Sequence, residues 1–343
     1  MRAMHWLDVP LPDSLVDAQV FGARVHFGPH VMEARLDERV AVLVTRSRFD
    51  QFLLLRAQEC GAEVVWKEVT SIEAGREGVL VSTEDTECVG RCVILCEGAV
   101  DRLSRIVRKP DRPHECGFCV EADVPVAKPQ TSTSTEDLVT FYFGMVEHGY
   151  GWVFDHGSYR SVGVGGLYSR FESPLAMFRE FLAQRGLAAE NVRPTGHFVP
   201  CGGIERRVCS DRIILAGDAA GFVDSFLGEG LAYAIRSGQL AAEVALAAAR
   251  QDDFSSSRLA LYDQRCRREF GASLRRSLLF TRMVHAWPSL FLRMLASDEK
   301  VLRKYLLVPS AAMSYRRYAA WLVARVPLFL LRSSFGRCGR GPA

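Results

Sequence analysis

The chain has 343 residues, 48% of them hydrophobic, and a formal net charge of +3. That length allows about two domains at ~150 residues each, and the hydrophobic share allows a sizeable buried core. The near balance of charge excludes a general nucleic-acid binder. It hides an asymmetry: from Arg258 onward, Lys and Arg outnumber Asp and Glu roughly four to one, which points to an acidic or membrane-surface partner for the C-terminal region. Ten cysteines without framework spacing, and no secretory signal at the N-terminus, fit a reducing, cytoplasmic compartment. No run reaches the ~18–20 uninterrupted apolar residues of a membrane-spanning helix. The nearest, residues 318–331, contains Arg325 and Pro327.

Residues 1–45 carry little regular pattern beyond a strand expected within 18–27. Residues 46–60 predict a helix with Phe49, Leu53, Ala57 and Cys60 on its apolar face and Gly61 as its stop. Residues 63–69 alternate like a strand, and two short strands are expected near 78–83 and 91–95. The last ends at Glu97-Gly98, and its Cys92 and Cys96 are expected to pack. Strands over 117–124, 138–143, 152–154 and 161–167, interrupted by a helix at 174–185, predict a mostly antiparallel second domain. Cys116 and Cys119 form a lone CxxC with no second pair to complete a zinc site, so no metal is expected.

In residues 150–166 the aromatic side chains of Tyr150, Trp152 and Phe154 alternate and so share one face of a strand. Gly163 and Gly165 share a face of the next strand. An aromatic wall opposite a bare glycine face makes a slot for a long apolar ligand. The same pattern also describes a packed sheet core in which glycines make room for rings.

Residues 212–242 run from an apolar strand into Gly217-Asp218, a small-residue turn through Ala219 and Gly221, then Gly228-Glu229-Gly230 and a helix. A carboxylate closing a strand accepts hydrogen bonds from sugar hydroxyls. A glycine-rich helix start offers free N–H groups and about half a positive charge to an electron-rich ligand edge. Beyond residue 258, arginines alternate with apolar residues in amphipathic helices that fit either a membrane interface or ordinary packing.

The run GDAAGFVDSFLGEG resembles the second FAD motif of flavoproteins related to para-hydroxybenzoate hydroxylase, and more narrowly that of geranylgeranyl reductases. Ser225 stands where those usually have Pro, and Leu227 where Thr is common. Val44, Arg46, Phe49, Asp50 and Leu53 resemble a further fragment of that fold, with Glu97-Gly98 in place of Asp-Gly. Tyr150, Trp152, Phe154, Gly163 and Gly165 match the family's aromatic-x-Trp-x-Phe-Pro and Gly-x-Gly spacing, with Asp155 replacing the proline. The resemblance implies an α/β fold. A doubly wound, Rossmann-like FAD-binding domain would occupy 1–110 and 201–250, an antiparallel β substrate domain 111–200 and a helical region 251–343.

The resemblance also implies cofactor contacts from Arg46, Gly98, Gly217, Asp218, Ala219, Gly221, Gly228, Glu229 and Gly230. Arg46 would lie near the FAD phosphates. Substrate contacts would come from Tyr150, Trp152, Phe154, Gly163 and Gly165. The expected activity is FAD-dependent reduction of carbon–carbon double bonds in an isoprenoid or polyprenyl lipid, with NAD(P)H or another reductant and possible peripheral membrane contact. The alternatives are a flavin monooxygenase or halogenase, or a non-catalytic remnant. The family's G-x-G-x-x-G turn is not in the sequence, so a truncated nucleotide-binding domain is expected. No proton donor is identified: His148 and Tyr150 are near the expected pocket, but each also fits a structural role.

Overall fold

The structure is a computed structural model that describes residues 1–99, 102–126, 137–187 and 192–335. A short helix α1 (Arg2–Trp6) precedes strands β1 (Ala18–Val20), β2 (Gly22–Phe27), β3 (His30–Arg35) and β4 (Ala41–Leu43), then helix α2 (Arg46–Glu59). β5 (Ser71–Ala74), β6 (Val79–Ser82) and β7 (Glu87–Gly90) form an antiparallel meander, followed by β8 (Val93–Leu95). Next come β9 (Cys116–Pro125), β10 (Leu138–Phe143), β11 (Gly149–Asp155), β12 (Tyr159–Leu167), helix α3 (Pro174–Gln184) and β13 (Thr195–Pro200). After β14 (Cys209–Ser210) and β15 (Ile213–Leu215) the chain is helical: α4 (Leu231–Gln251), α5 (Ser256–Cys266), α6 (Ala272–Ala286), α7 (Pro288–Ser297), α8 (Glu299–Leu306) and α9 (Tyr315–Phe335). A π-helical segment, Arg267–Gly271, joins α5 to α6.

The large sheet has seven strands in the order β13-β9-β12-β11-β10-β2-β3. All neighbours are antiparallel except β10 and β2, which run parallel. Residues 18–27 thus hold two strands rather than one. β2 and β3 lie within the segment expected on the cofactor side, yet they extend the large sheet. Burial explains why: Ala23 and Val25 are fully covered, on the same face as Phe141 of β10.

The large sheet is covered on one face and over much of the other. On one, Val120, Ala122, Val124, Val162 and Val164 meet Phe178, Phe181 and Leu182 of α3. On the other, Ala23 and Val25 and the rings of Phe141 and Phe143 meet the helices from α6 to α9. Period-2 alternation sends successive residues of each strand to opposite layers.

A second core surrounds the parallel pair β8 and β15, with β14 beside it. Ile213, Ile214 and Leu215 are all buried, as a continuous apolar run requires when both faces are covered. The α4 face made by Tyr233, Leu240, Ala241 and Val244 packs there, and the Tyr262 hydroxyl of α5 donates to the Leu215 carbonyl at 2.7 Å.

Residues 63–69 do not form the expected strand. Val65 and Trp66 are exposed, so the alternation there has no layer to pack against and no ladder partner. Of the α2 face, Phe49 is buried, while Ala57 and Cys60 are exposed. Cys92 packs on the second core but Cys96 is exposed. Cys116 and Cys119 lie three residues apart on one extended strand, a Cα separation of about 10 Å, too long for a disulfide.

Phe181 is fully buried and stands edge-on to Tyr142, ring centroids 5.2 Å apart. Phe181→Ala is expected to lower unfolding free energy by about 3–5 kcal/mol in urea titration. A loss below about 1 kcal/mol would contradict the packing of α3 on the sheet.

Candidate functional site

The site begins where β15 ends. Gly217 takes φ +59°, a left-handed conformation that suits glycine, and its N–H donates to the buried Ser237 hydroxyl of α4 at 2.9 Å. This turn places Asp218 at the mouth of the second core. Among the described residues no donor bonds the Asp218 carboxylate. Burial raises its pKa, and the nearby Arg46 guanidinium pulls the other way. A side chain at Gly230 would stand 2.6 Å from Asp218 Oδ1, so the glycine keeps that oxygen clear. Ala219 is buried, and its carbonyl accepts from Arg108 Nε at 2.9 Å. Gly221 has φ +74°, and a side chain there would collide with Arg206.

Asp224 holds the following loop. It is fully buried, and its Oδ1 accepts from the N–H groups of Phe226 and Leu227 at 3.0 Å, from Ser277 Oγ at 2.6 Å and from the Tyr315 hydroxyl at 2.9 Å. Its Oδ2 is buried without a partner. The Gly228 N–H is bonded to the Asp224 carbonyl at 2.9 Å. Gly228 therefore contributes shape (φ +68°, with only the Tyr150 hydroxyl within 4 Å of a would-be side chain), while the N–H groups of Glu229 and Gly230 make no backbone hydrogen bond among the described residues. The Glu229 side chain points into the protein instead. Burial raises its pKa, Oε2 has no hydrogen bond, and Arg2 stands 3.8 Å away.

The sheet supplies the opposing wall. Strand register sets side chains of one face in two rows: Phe143, Tyr150, Gly165, Cys119 and His197, then Phe141, Trp152, Gly163, Glu121 and Thr195. Phe154 continues the aromatic side, 5.5 Å edge-on from Phe141. The glycines are thus beside the aromatic residues and not opposite them, which corrects the slot expected from the sequence. A side chain at Gly163 would collide with the Trp152 indole, and one at Gly165 would stand 3.5 Å from the indole edge. The glycines let the indole lie flat. Tyr150 joins wall to loop: its hydroxyl donates to the Leu227 carbonyl at 3.0 Å, and burial raises its pKa.

Arg46 opens α2, exposed and paired with Asp50 at 3.1 Å. Gly98 follows β8 with φ +79° and open space around it. Glu97 is committed to the N–H groups of Leu103 and Ser104. His148 turns away from the wall toward His285 of α6, ring centroids 4.2 Å apart. Burial and His148 lower the pKa of His285 to about 4. The sequence reading missed Asp224, Ser277 and Tyr315. Asp224 lies inside the motif already singled out, but its partners are 53 and 91 residues away.

No family model matches the chain. It is 29% identical over 258 residues to digeranylgeranylglycerophospholipid reductase 2 of Methanothermobacter thermautotrophicus, covering 71% of this chain and 64% of that protein. It is 33% identical over 244 residues to digeranylgeranylglycerophospholipid reductase 1 of Methanopyrus kandleri, covering 66% and 64%. The chain is a homologue of the geranylgeranyl reductases. An uncharacterised protein of Methanosarcina barkeri is 30% identical over 216 residues, covering 59% of this chain and 51% of its own length. The chain thus spans less than two thirds of these relatives.

Among solved structures, the geranylgeranyl bacteriochlorophyll reductase-like protein of Thermoplasma acidophilum superposes with TM-score 0.76 at 17% identity, over 94% of this chain and 86% of that one. Halogenase PltM in complex with phloroglucinol and FAD gives TM-score 0.57 at 18% identity, over 89% and 69%. These likenesses show a shared mixed α/β fold.

Asp224→Ala removes the acceptor of four donors. It is expected to destabilise the chain by about 3 kcal/mol or more, while Asp224→Asn retains an acceptor and most of the stability. Equal thermal midpoints for Asp224→Ala and wild type would show that the loop is held by other contacts.

Proposed function

We propose that this geranylgeranyl reductase homologue is an FAD-dependent oxidoreductase that saturates carbon–carbon double bonds of an isoprenoid lipid. The observation that carries the reading is the unpaired, half-buried Asp218 carboxylate beside the free amides of Glu229 and Gly230, on a loop that Tyr150 ties to the large sheet. In this reading Asp218 accepts hydrogen bonds from the ribityl hydroxyls, and the amides and the α4 dipole meet the electron-rich pyrimidine edge. The bound flavin, once reduced, supplies hydride. The chain's own residues orient and exclude water: Trp152, Phe154 and Phe141 give the apolar surface, and Tyr150 ties it to the cofactor loop. Arg46 lies near enough to Asp218 to serve the phosphate side, and Gly98 leaves room at the end of β8.

On this reading β8, β15 and the helices beside them form part of a doubly wound nucleotide-binding layer. The large sheet, including residues 22–35, forms the substrate layer, and the helices from α6 onward brace both. NAD(P)H or another reductant is the electron source. Among the described residues no helix is long and apolar enough to cross a membrane. The exposed side chains of Val323, Leu328, Leu330 and Leu331 on α9, with Arg316 and Arg317 at its start, support peripheral contact with an anionic membrane. Sedimentation with anionic vesicles and release by salt are expected. Equal behaviour with neutral vesicles would contradict this contact.

The test of the cofactor reading is FAD titration of wild type and Asp218→Ala. The variant is expected to bind about ten- to hundredfold more weakly, and unchanged affinity would overturn the assignment.

Asp218 also sets a pH dependence. Because burial raises its pKa, the folded apo-protein retains a proton that the unfolded chain has released. Stability therefore falls as pH rises from the ordinary carboxylate range to the raised value. Asp218→Asn is expected to remove this slope in denaturation on the alkaline side of the ordinary carboxylate range, while still weakening flavin. An unchanged slope would show that other groups carry it.

A further inference from the structure

Strand β11 carries Trp152 and Phe154, and both of its ends are tied to segments outside the large sheet. At its start the Tyr150 hydroxyl donates to the Leu227 carbonyl. About 20 Å further along, the turn into β12 meets a buried polar cluster that the site above does not use. His156 Nδ1 stands 2.9 Å from Asp17 Oδ2, and their side chains are only 7% and 10% exposed. The Tyr159 ring stacks on the His156 imidazole, centroids 4.4 Å apart, and the Tyr159 hydroxyl lies 3.0 Å from the Thr45 hydroxyl. Thr45 donates to Asp17 Oδ2 at 2.8 Å.

The protons distribute in one consistent way. A carboxylate only accepts, so Asp17 Oδ2 takes the Thr45 proton and the His156 Nδ1 proton. Tyr159 is then the donor to Thr45. Each proton is used once, and three segments of the chain meet at one oxygen.

Thr45 precedes helix α2, where a threonine hydroxyl ordinarily accepts a first-turn N–H. Here it makes no such cap. The hydroxyl is spent on joining α2 to the β11–β12 turn, at a cost to the helix start. The same carboxylate holds α2 a second time, since Arg48 Nη1 donates to Asp17 Oδ1 at 3.3 Å. Between Thr45 and Arg48 stands Arg46, exposed, its charge acting on Asp218. Its partner Asp50 belongs to the same helix and cannot fix its place relative to the sheet. Asp17 and His156 can.

We propose that Asp17 and His156 are positioning residues of the cofactor site: through Thr45 they set the start of α2, and Arg46 with it, against the far end of β11. The inference rests on the FAD reading above, in which Arg46 serves the phosphate side.

The test is FAD titration of the full chain by flavin fluorescence, with thermal midpoints measured on the same proteins without FAD. His156→Ala is expected to weaken FAD binding about tenfold. His156→Asn, which keeps an N–H donor near the place of Nδ1, should recover most of that loss. In an Arg46→Ala background, His156→Ala should add less than about a twofold loss, because the two residues act on one contact. Tyr159→Phe removes a single hydroxyl and should show the same dependence on Arg46 with a smaller loss; it carries the test if His156→Ala does not fold. A lowered thermal midpoint with wild-type FAD affinity would overturn the inference and leave the cluster a contact of the fold alone. Equal losses with and without Arg46 would also overturn it. A wild-type chain that binds no FAD would remove the cofactor reading and this inference with it.

Discussion

One oxygen of the buried Asp224 carboxylate takes donors from its own loop, from Ser277 of α6 and from Tyr315 of α9. A carboxylate without water around it is costly unless such donors surround it. The arrangement ties three distant segments to one point. It closes the loop that carries Gly228, and through Tyr150 and the Leu227 carbonyl it fixes the gap between that loop and the sheet. The helical region is therefore part of the site's scaffold. Removing α9 would strip a hydrogen bond from beneath that loop.

The rest follows from two cores meeting at that loop. The parallel pair of β8 and β15 ends in a left-handed glycine and an unpaired carboxylate. The large sheet offers a face that is aromatic at one side, has the Trp152 indole laid over its glycines in the middle, and is titratable at the other. The second carboxylate of the motif, Glu229, is turned inward toward Arg2, which leaves Asp218 as the acid free to meet a ligand.

Much of this was legible in the residues. Short strands at 138–143 and 161–167 were legible, and Gly217-Asp218 marked a strand end with an acid, because these signals are local. The pairing of β2 with β10 was not legible, since nothing in residues 22–27 names a partner more than a hundred residues away. The placement of Gly163 beside Trp152 was likewise hidden. Period-2 reading gives the face of each strand but not which rings cross onto which glycines. Residues 63–69 alternate as a strand should, yet alternation without a ladder partner does not make one. Asp224 was overlooked because its worth lies in Ser277 and Tyr315, on helices that the sequence places far off.

The central claim is that this wall and this carboxylate serve reduction of an alkene by flavin. Anaerobic incubation of the FAD-loaded, pre-reduced full chain with geranylgeraniol, followed by mass spectrometry of the lipid, tests it most directly. The account predicts oxidised flavin and a lipid heavier by two hydrogens for each bond reduced. Flavin that stays reduced until oxygen is admitted, with the lipid unchanged, would contradict it.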